Sequence, residues 1–186
     1  MLISTVALAG GVHVQHGGPQ PLAEHAVFDL RVGLNGTLQS DGQIRPDLCA
    51  EVSPFRRLGF EACGNGSGVL LPHDGPDMAH FRLRAAPLVH ASGNVDGRVM
   101  VGAGFTEVQR SADRPGFRFG EADPAQVEAA GPEVSVGAKG RLWVTPASHI
   151  VLDVVAGTAF IPGAPAVMGW SSPVVPFFSL STGMGF

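Results

Sequence analysis

Apolar and polar residues alternate with a period of two along most of the chain. In the first such run Phe28, Leu30, Val32 and Leu34 alternate with Asp29, Arg31, Gly33 and Asn35. A second places Phe81, Leu83, Ala85 and Val89 opposite Arg82, Arg84 and His90. Residues 92–97 (Ser-Gly-Asn-Val-Asp-Gly) form a dense turn signal, after which Val99, Val101, Ala103 and Phe105 oppose Arg98, Met100, Gly102, Gly104 and Thr106. Val134, Val136, Ala138, Leu142 and Val144 then alternate with Glu133, Ser135, Gly137, Lys139 and Arg141. Beyond a turn at 145–148, Ile150, Leu152, Val154 and Ala156 alternate with Val151, Asp153, Val155 and Gly157. The last run sets Phe178, Leu180, Thr182, Met184 and Phe186 against Ser179, Ser181, Gly183 and Gly185. Period-two alternation is the mark of a strand with two unlike faces, so the chain is read as all-β with six strong strands. Each spans roughly ten residues, longer than the mode of about 5–6 for globular strands and close to the 9–11 of a tilted bilayer crossing.

Alternation does not say whether the apolar face meets a core or lipid. Two architectures are compatible with it: a transmembrane barrel, or a soluble exported barrel or sandwich with its apolar face inward, holding a lipophilic ligand. The polar face favours the first. It is crowded with glycine and serine, which suit a narrow lumen better than an open surface. Its charges are Asp29, Arg31, Arg82, Arg84, Arg98, Glu133, Lys139, Arg141 and Asp153. Six cations against three anions give that face +3, within a chain whose formal net charge is −4. The pattern predicts an internal ion-pair plug with spare positive charge, and acidic loops outside. The apolar-face aromatics fall near strand ends, Phe28 and Phe186 at one rim, Phe81, Phe105, Phe160 and Phe178 towards the other, as in the aromatic girdles of membrane barrels.

Connections alternate in length. Residues 92–97 and 145–148 are short, whereas 39–78, 109–130 and 161–173 are long, an asymmetry typical of outer-membrane barrels. Their even-numbered strand counts begin at eight, so a further pair is expected, drawn from residues 55–63 and 67–72 around the turn at 64–66. The alternative is a structured loop stapled by Cys49 and Cys63, the only cysteines. Their even count and spacing favour a disulfide. Residues 1–26 read as the end of a secretory signal followed by a loose segment, with Ala7-Leu8-Ala9 in the small-residue cleavage pattern. Residues 27–186 read as the barrel.

Composition narrows the function classes. Charged residues are 15% of 186, against about 25% in an ordinary soluble domain, and 26 glycines follow no collagen-like period. No generalised basic surface for nucleic acid is present. His13 and His16 stand in the N-terminal segment, and His73 and His80 flank Asp74 and Asp77. A solvated acidic loop accounts for the latter group without a metal. Ser67, His73, Asp74 and His80 could supply a nucleophile and base for a lipid-modifying enzyme at the barrel rim, but no G-x-S-x-G elbow supports them. Neither a metal site nor a cofactor is assigned.

On these residues the chain resembles the small outer-membrane β-barrel family of Gram-negative bacteria (OmpA/OmpX-like). The resemblance implies an up-and-down antiparallel barrel of eight strands in the bacterial outer membrane. It also implies that the terminal strand, with Phe178, Leu180, Met184 and Phe186, is the signal read by the outer-membrane insertion machinery; Ser181 stands where that signal often has glycine. The expected role is structural or surface-interacting, with outer-membrane lipid around the wall and an unidentified extracellular partner at the long loops. A narrow anion-favouring pore is the alternative within the same class.

Overall fold

The computed structural model describes residues 27–38, 44–64, 77–110, 118–120 and 127–186. Eight strands succeed one another: β1 (Val27–Thr37), β2 (Ile44–Phe55), β3 (Leu58–Gly64), β4 (Asp77–Ser92), β5 (Val95–Gln109), β6 (Glu128–Thr145), β7 (Ser148–Phe160) and β8 (Val174–Gly185). A five-residue helix, α1 (Ala164–Met168), lies between the last two. The strands pair antiparallel in chain order and close into a barrel through β1 and β8. Closure leaves no unpaired sheet edge, which a strand structure in lipid requires.

Turns at residues 56–57, 93–94 and 146–147 join the strands at one end, beside Phe28 and Phe186, whose backbones exchange two hydrogen bonds. At the first of two turn positions Gly93 adopts φ 59°, a left-handed conformation that costs a side chain energy. The four other connections lie at the opposite end, the loop end. Strands β4, β5 and β6 run 16, 15 and 18 residues. A bilayer crossing takes only about 9–11, so these strands run beyond it.

The missing pair is the β2–β3 hairpin, and its position corrects the sequence reading. The turn is Arg56-Arg57, not residues 64–66; the first strand begins at Ile44 in what read as a long loop; and residues 67–72 lie outside the described residues. Strand β2 contains Pro46 and Pro54. A proline lacks the N–H that a central strand must donate, and every in-strand proline sits where that donor is dispensable. Pro54 and Pro87 fall in bulges, between Val52 and Phe55 and between Ala85 and Leu88. Pro46, Pro132 and Pro176 each lie where their strand has outrun one neighbour. The Pro87 bulge also shifts the face of the residues after it. Val89 pairs with Arg98 on the inner side, and His90, read as lumenal, points outward and is exposed.

Burial runs opposite to that of a soluble protein. Leu30, Val32 and Leu34 are 46%, 60% and 48% exposed, whereas Asp29 and Arg31 between them are 0% and 1%. The reading of a soluble barrel with its apolar face inward is therefore overturned.

The seam between β7, β8 and β1 is tight at Gly183. A Cβ there would lie 2.0 Å from the Leu30 carbonyl oxygen and 2.7 Å from the Arg31 Cα. Both contacts are backbone and have little freedom to retreat. Gly183→Ala is expected to destabilise the refolded barrel by about 1–3 kcal/mol, read as a lower urea midpoint. An unchanged midpoint would show that the seam has slack.

At the loop end the lumen turns apolar. Met78, Val108, Val175 and Phe177 pack under Ile161, Val167 and Trp170 from the β7–β8 connection. That connection read as a proline-rich loop, but it folds into α1 and covers the mouth. Pro165 at the helix start is preset for helical φ, and Gly169 ends the helix at φ 68°, its N–H donating to the Pro165 carbonyl at 3.0 Å.

Candidate functional site: a sealed charged lumen

Every strand sends charged or polar side chains inward at alternate positions. The centre is a cluster of two arginines, a lysine and three carboxylates. Arg84 Nη1 lies 3.0 Å from Glu51 Oε2 and 2.6 Å from Glu61 Oε2, and its Nη2 donates to Asp153 Oδ1 at 3.0 Å. Arg31 reaches the same three acids, Glu51 at 3.2 Å and Glu61 and Asp153 in closer contact. Lys139 pairs with Glu51 and lies 3.2 Å from Asp29 Oδ2 and 3.9 Å from Asp153. All of these side chains are at most 1% exposed.

Towards the turn end, Asp29 gathers Arg141 Nη2 and His149 Nε2, both at 2.7 Å. The His149 ring lies against Trp143 with centroids 4.5 Å apart. Towards the loop end, Arg82 Nε sits 3.0 Å from Glu61 Oε1 and 3.2 Å from Glu133 Oε1, contacts of ion pairs rather than aligned hydrogen bonds. The Arg82 guanidinium also lies 5.4 Å from the Phe177 ring centre, a cation–π contact that joins the charged layer to the apolar cap. His80 is fully buried beside them. Its Nε2 accepts from the Asn35 amide at 3.0 Å, which leaves Nδ1–H to donate to Glu133 Oε2 at 2.6 Å.

The nine charges read as lumenal are thus all buried, but Arg98 stands apart from the rest. It pairs with Asp96 at 3.0–3.1 Å and donates to the Arg56 carbonyl at 2.7 Å, clamping the β2–β3 turn. Four acids on the inner face were missed: Asp47, Glu51, Glu61 and Asp96. They change the electrostatics: these four acids, together with Arg45 opposite Asn35 on the same face, bring +3 to zero. The positive surplus that suggested an anion-favouring pore is therefore absent. Asp47 and Glu51 lie in what read as a loop, Glu61 in the candidate strand 55–63, whose polar positions were not assigned to the lumen, and Asp96 in a turn signal.

Metal and catalytic readings fare no better. Among the described residues, two groups have ligand atoms close enough for an ion: Asp47 with Cys49 and Cys63, and Glu51 with Glu61 and Asp153. The two cysteines are joined in a disulfide, which leaves no thiolate to bind metal. The three carboxylates already carry Arg31, Arg84 and Lys139, which supply the cationic charge a metal would bring. Of the rim site considered for lipid chemistry, Ser67, His73 and Asp74 lie outside the described residues, as do His13, His16 and residues 1–26. His80 is not at a rim but inside the lumen, and a lipid cannot reach it.

The wall reverses this chemistry. Leu83, Val101, Val136, Leu152, Val154 and Leu180 form an exposed apolar belt. Phe28, Phe55, Phe60 and Phe186 edge it near the turn end. Phe81 and Phe105, stacked at 5.1 Å, edge it with Phe160 and Phe178 near the loop end. An apolar band between two aromatic girdles around a polar interior has one solvent that suits it, the bilayer. This is the fold of a small outer-membrane β-barrel.

Structural comparison agrees. The crystal structure of neisserial surface protein A (NspA) superposes with a TM-score of 0.57 at 11% identity, covering 86% of this chain and 95% of NspA. The likeness to Ail, the attachment invasion locus protein of Yersinia pestis, is looser, with a TM-score of 0.39 at 12% identity over 87% of this chain and 99% of Ail. No protein-family model matches the chain, and no curated protein matches it in sequence. In this outer-membrane barrel fold, Leu180 and Met184 on β8 and Phe186 just beyond it are each 47–61% exposed, with Phe178 half-buried in the loop-end girdle.

Proposed function

We propose that the chain is a non-conducting outer-membrane barrel that holds its loop end out to a partner outside the cell. One observation carries this reading: the lumen is closed twice, by the Arg31–Arg84 carboxylate cluster at its centre and by the α1 cap at its mouth. A channel needs a continuous wet path, and a narrow barrel filled with paired side chains has none. What remains to interact is the surface at the loop end, where four connections emerge around the α1 cap. NspA, a surface protein by name, has the same fold and supports that orientation. A lipid-modifying role centred on His80 is not proposed, because the imidazole is sealed.

In this reading the partners are outer-membrane lipid around the wall, the insertion machinery at β8, and an extracellular molecule at the loops. Deleting Phe186 is expected to lower the yield of inserted barrel in cells without changing the lumen. Unboiled protein in SDS is expected to migrate differently from boiled protein, since a closed barrel resists the detergent until heated. In planar bilayers the barrel is expected to carry no steady current. Epitope tags placed within residues 65–76 should be accessible on intact cells, and a tag at the 146–147 turn should not. Steady conductance, or a turn-end tag that antibodies reach, would overturn the proposal.

A further inference from the structure

We propose that the Cys49–Cys63 disulfide is made before the barrel closes, by exchange with an oxidised dithiol carrier, and that closure then seals it. Cys49 and Cys63 are direct cross-strand partners in the β2–β3 ladder, not the ends of a loop staple. Both face the lumen, 1% and 5% exposed. Below them lies the Arg31–Arg84 cluster and above them the His80–Asn35 layer under Phe177. Disulfide exchange requires a thiolate to approach a sulfur in line with the bond it breaks. The closed barrel offers no such approach.

In the open chain the same chemistry is easy, because closing a loop this short is entropically cheap. The Cys49 thiolate attacks one carrier sulfur and releases the other as a thiolate, forming a mixed disulfide. The Cys63 thiolate then attacks the Cys49 sulfur and releases the carrier. The carrier takes up two electrons and the two protons lost by the cysteines, and departs as a dithiol.

The bond has a use at that stage. Strand β2 contains Pro46 and Pro54, and its ladder to β3 is the shortest among the described residues, so hydrogen bonds specify the hairpin's internal register weakly. A slip of one residue between β2 and β3 would put Glu51 and Glu61, direct partners in the ladder, on opposite faces, so that one of them met lipid. The Arg31, Arg84 and Lys139 charges would then lose one of their acids. A covalent Cys49–Cys63 pair delivers the hairpin with both glutamates already on one face.

Two measurements test the order. In the first, oxidised protein refolded into phosphatidylcholine vesicles is treated with dithiothreitol, and free thiols are counted by maleimide gel shift. Reduction is expected to be at least about 100-fold slower than for the same chain in concentrated urea, because it must await opening of the barrel. In the second, the reduced chain is folded first and then offered an oxidised dithiol carrier. The disulfide is expected not to form, and a reduced chain that fails to close at all supports the same order. Reduction of the closed barrel at a rate close to that in urea, or ready oxidation after folding, would overturn the proposal.

Discussion

Arg84→Met is expected to destabilise the barrel by about 3–5 kcal/mol, the range seen when one partner of a buried ion pair is removed. The guanidinium touches Glu51, Glu61 and Asp153 at once, and none of these carboxylates reaches water. Methionine fills much of the volume but supplies no charge. Arg31 and Lys139 would then face three acids alone, with a whole charge lost from a region too buried for water to replace it. Unfolding in urea, followed by the fluorescence of Trp143 and Trp170, reads the effect. The double variant Arg84→Met with Asp153→Asn should lose less than the two single losses added together, because it removes one charge of each sign. A loss below about 1 kcal/mol for Arg84→Met would place the cluster in the range of solvated pairs and remove the plug from the account of the lumen.

The second large effect is on the wall. Val136→Arg is expected to cost about 2–4 kcal/mol in a phospholipid bilayer, the cost of a cation at the midplane of a barrel exterior. Val136 is 55% exposed on β6, between the two aromatic girdles. Val144→Arg, on the same strand and face but beside the turn, should cost only about 0–1 kcal/mol. On a water-facing surface both substitutions would be nearly neutral. The difference between them therefore measures depth in lipid. Equal small losses at both sites would refute the lipid-facing assignment.

The sequence showed most of the architecture because a barrel in lipid repeats one rule at every strand. Six strands obey it with leucine, valine or phenylalanine outside and charge or glycine inside. The β2–β3 hairpin obeys it too, but in a weaker form. Its outward positions include Ala50 and Ala62, its inward ones include Arg45, Asp47, Cys49, Glu51, Ser53, Glu61 and Cys63, and prolines punctuate it. Reading the polar alternation of 47–53 as a lumen face, rather than looking for an apolar one, would have found the strand and the missing glutamates together. The lid had a signal as well, since Pro165 just inside and Gly169 just beyond a short apolar run mark a helix. Other features lay beyond any local pattern. That Asn35 meets His80, or that Asp29 gathers Arg141 and His149, depends on residues 45–120 positions apart being brought together by barrel closure.

The inverted distribution of polarity has an evolutionary corollary. Outward positions answer to lipid, which distinguishes leucine from valine or isoleucine hardly at all, so they can drift independently and almost freely. Inward positions hold one another through shared partners, so a change at Arg31 or Glu51 is tolerated only with a compensating change across the lumen. Such a protein keeps its alternation and its internal balance of charge while its letters turn over. Likeness in this fold is accordingly better sought in rhythm and in coupled pairs than in identity, which is 11% in the superposition with NspA.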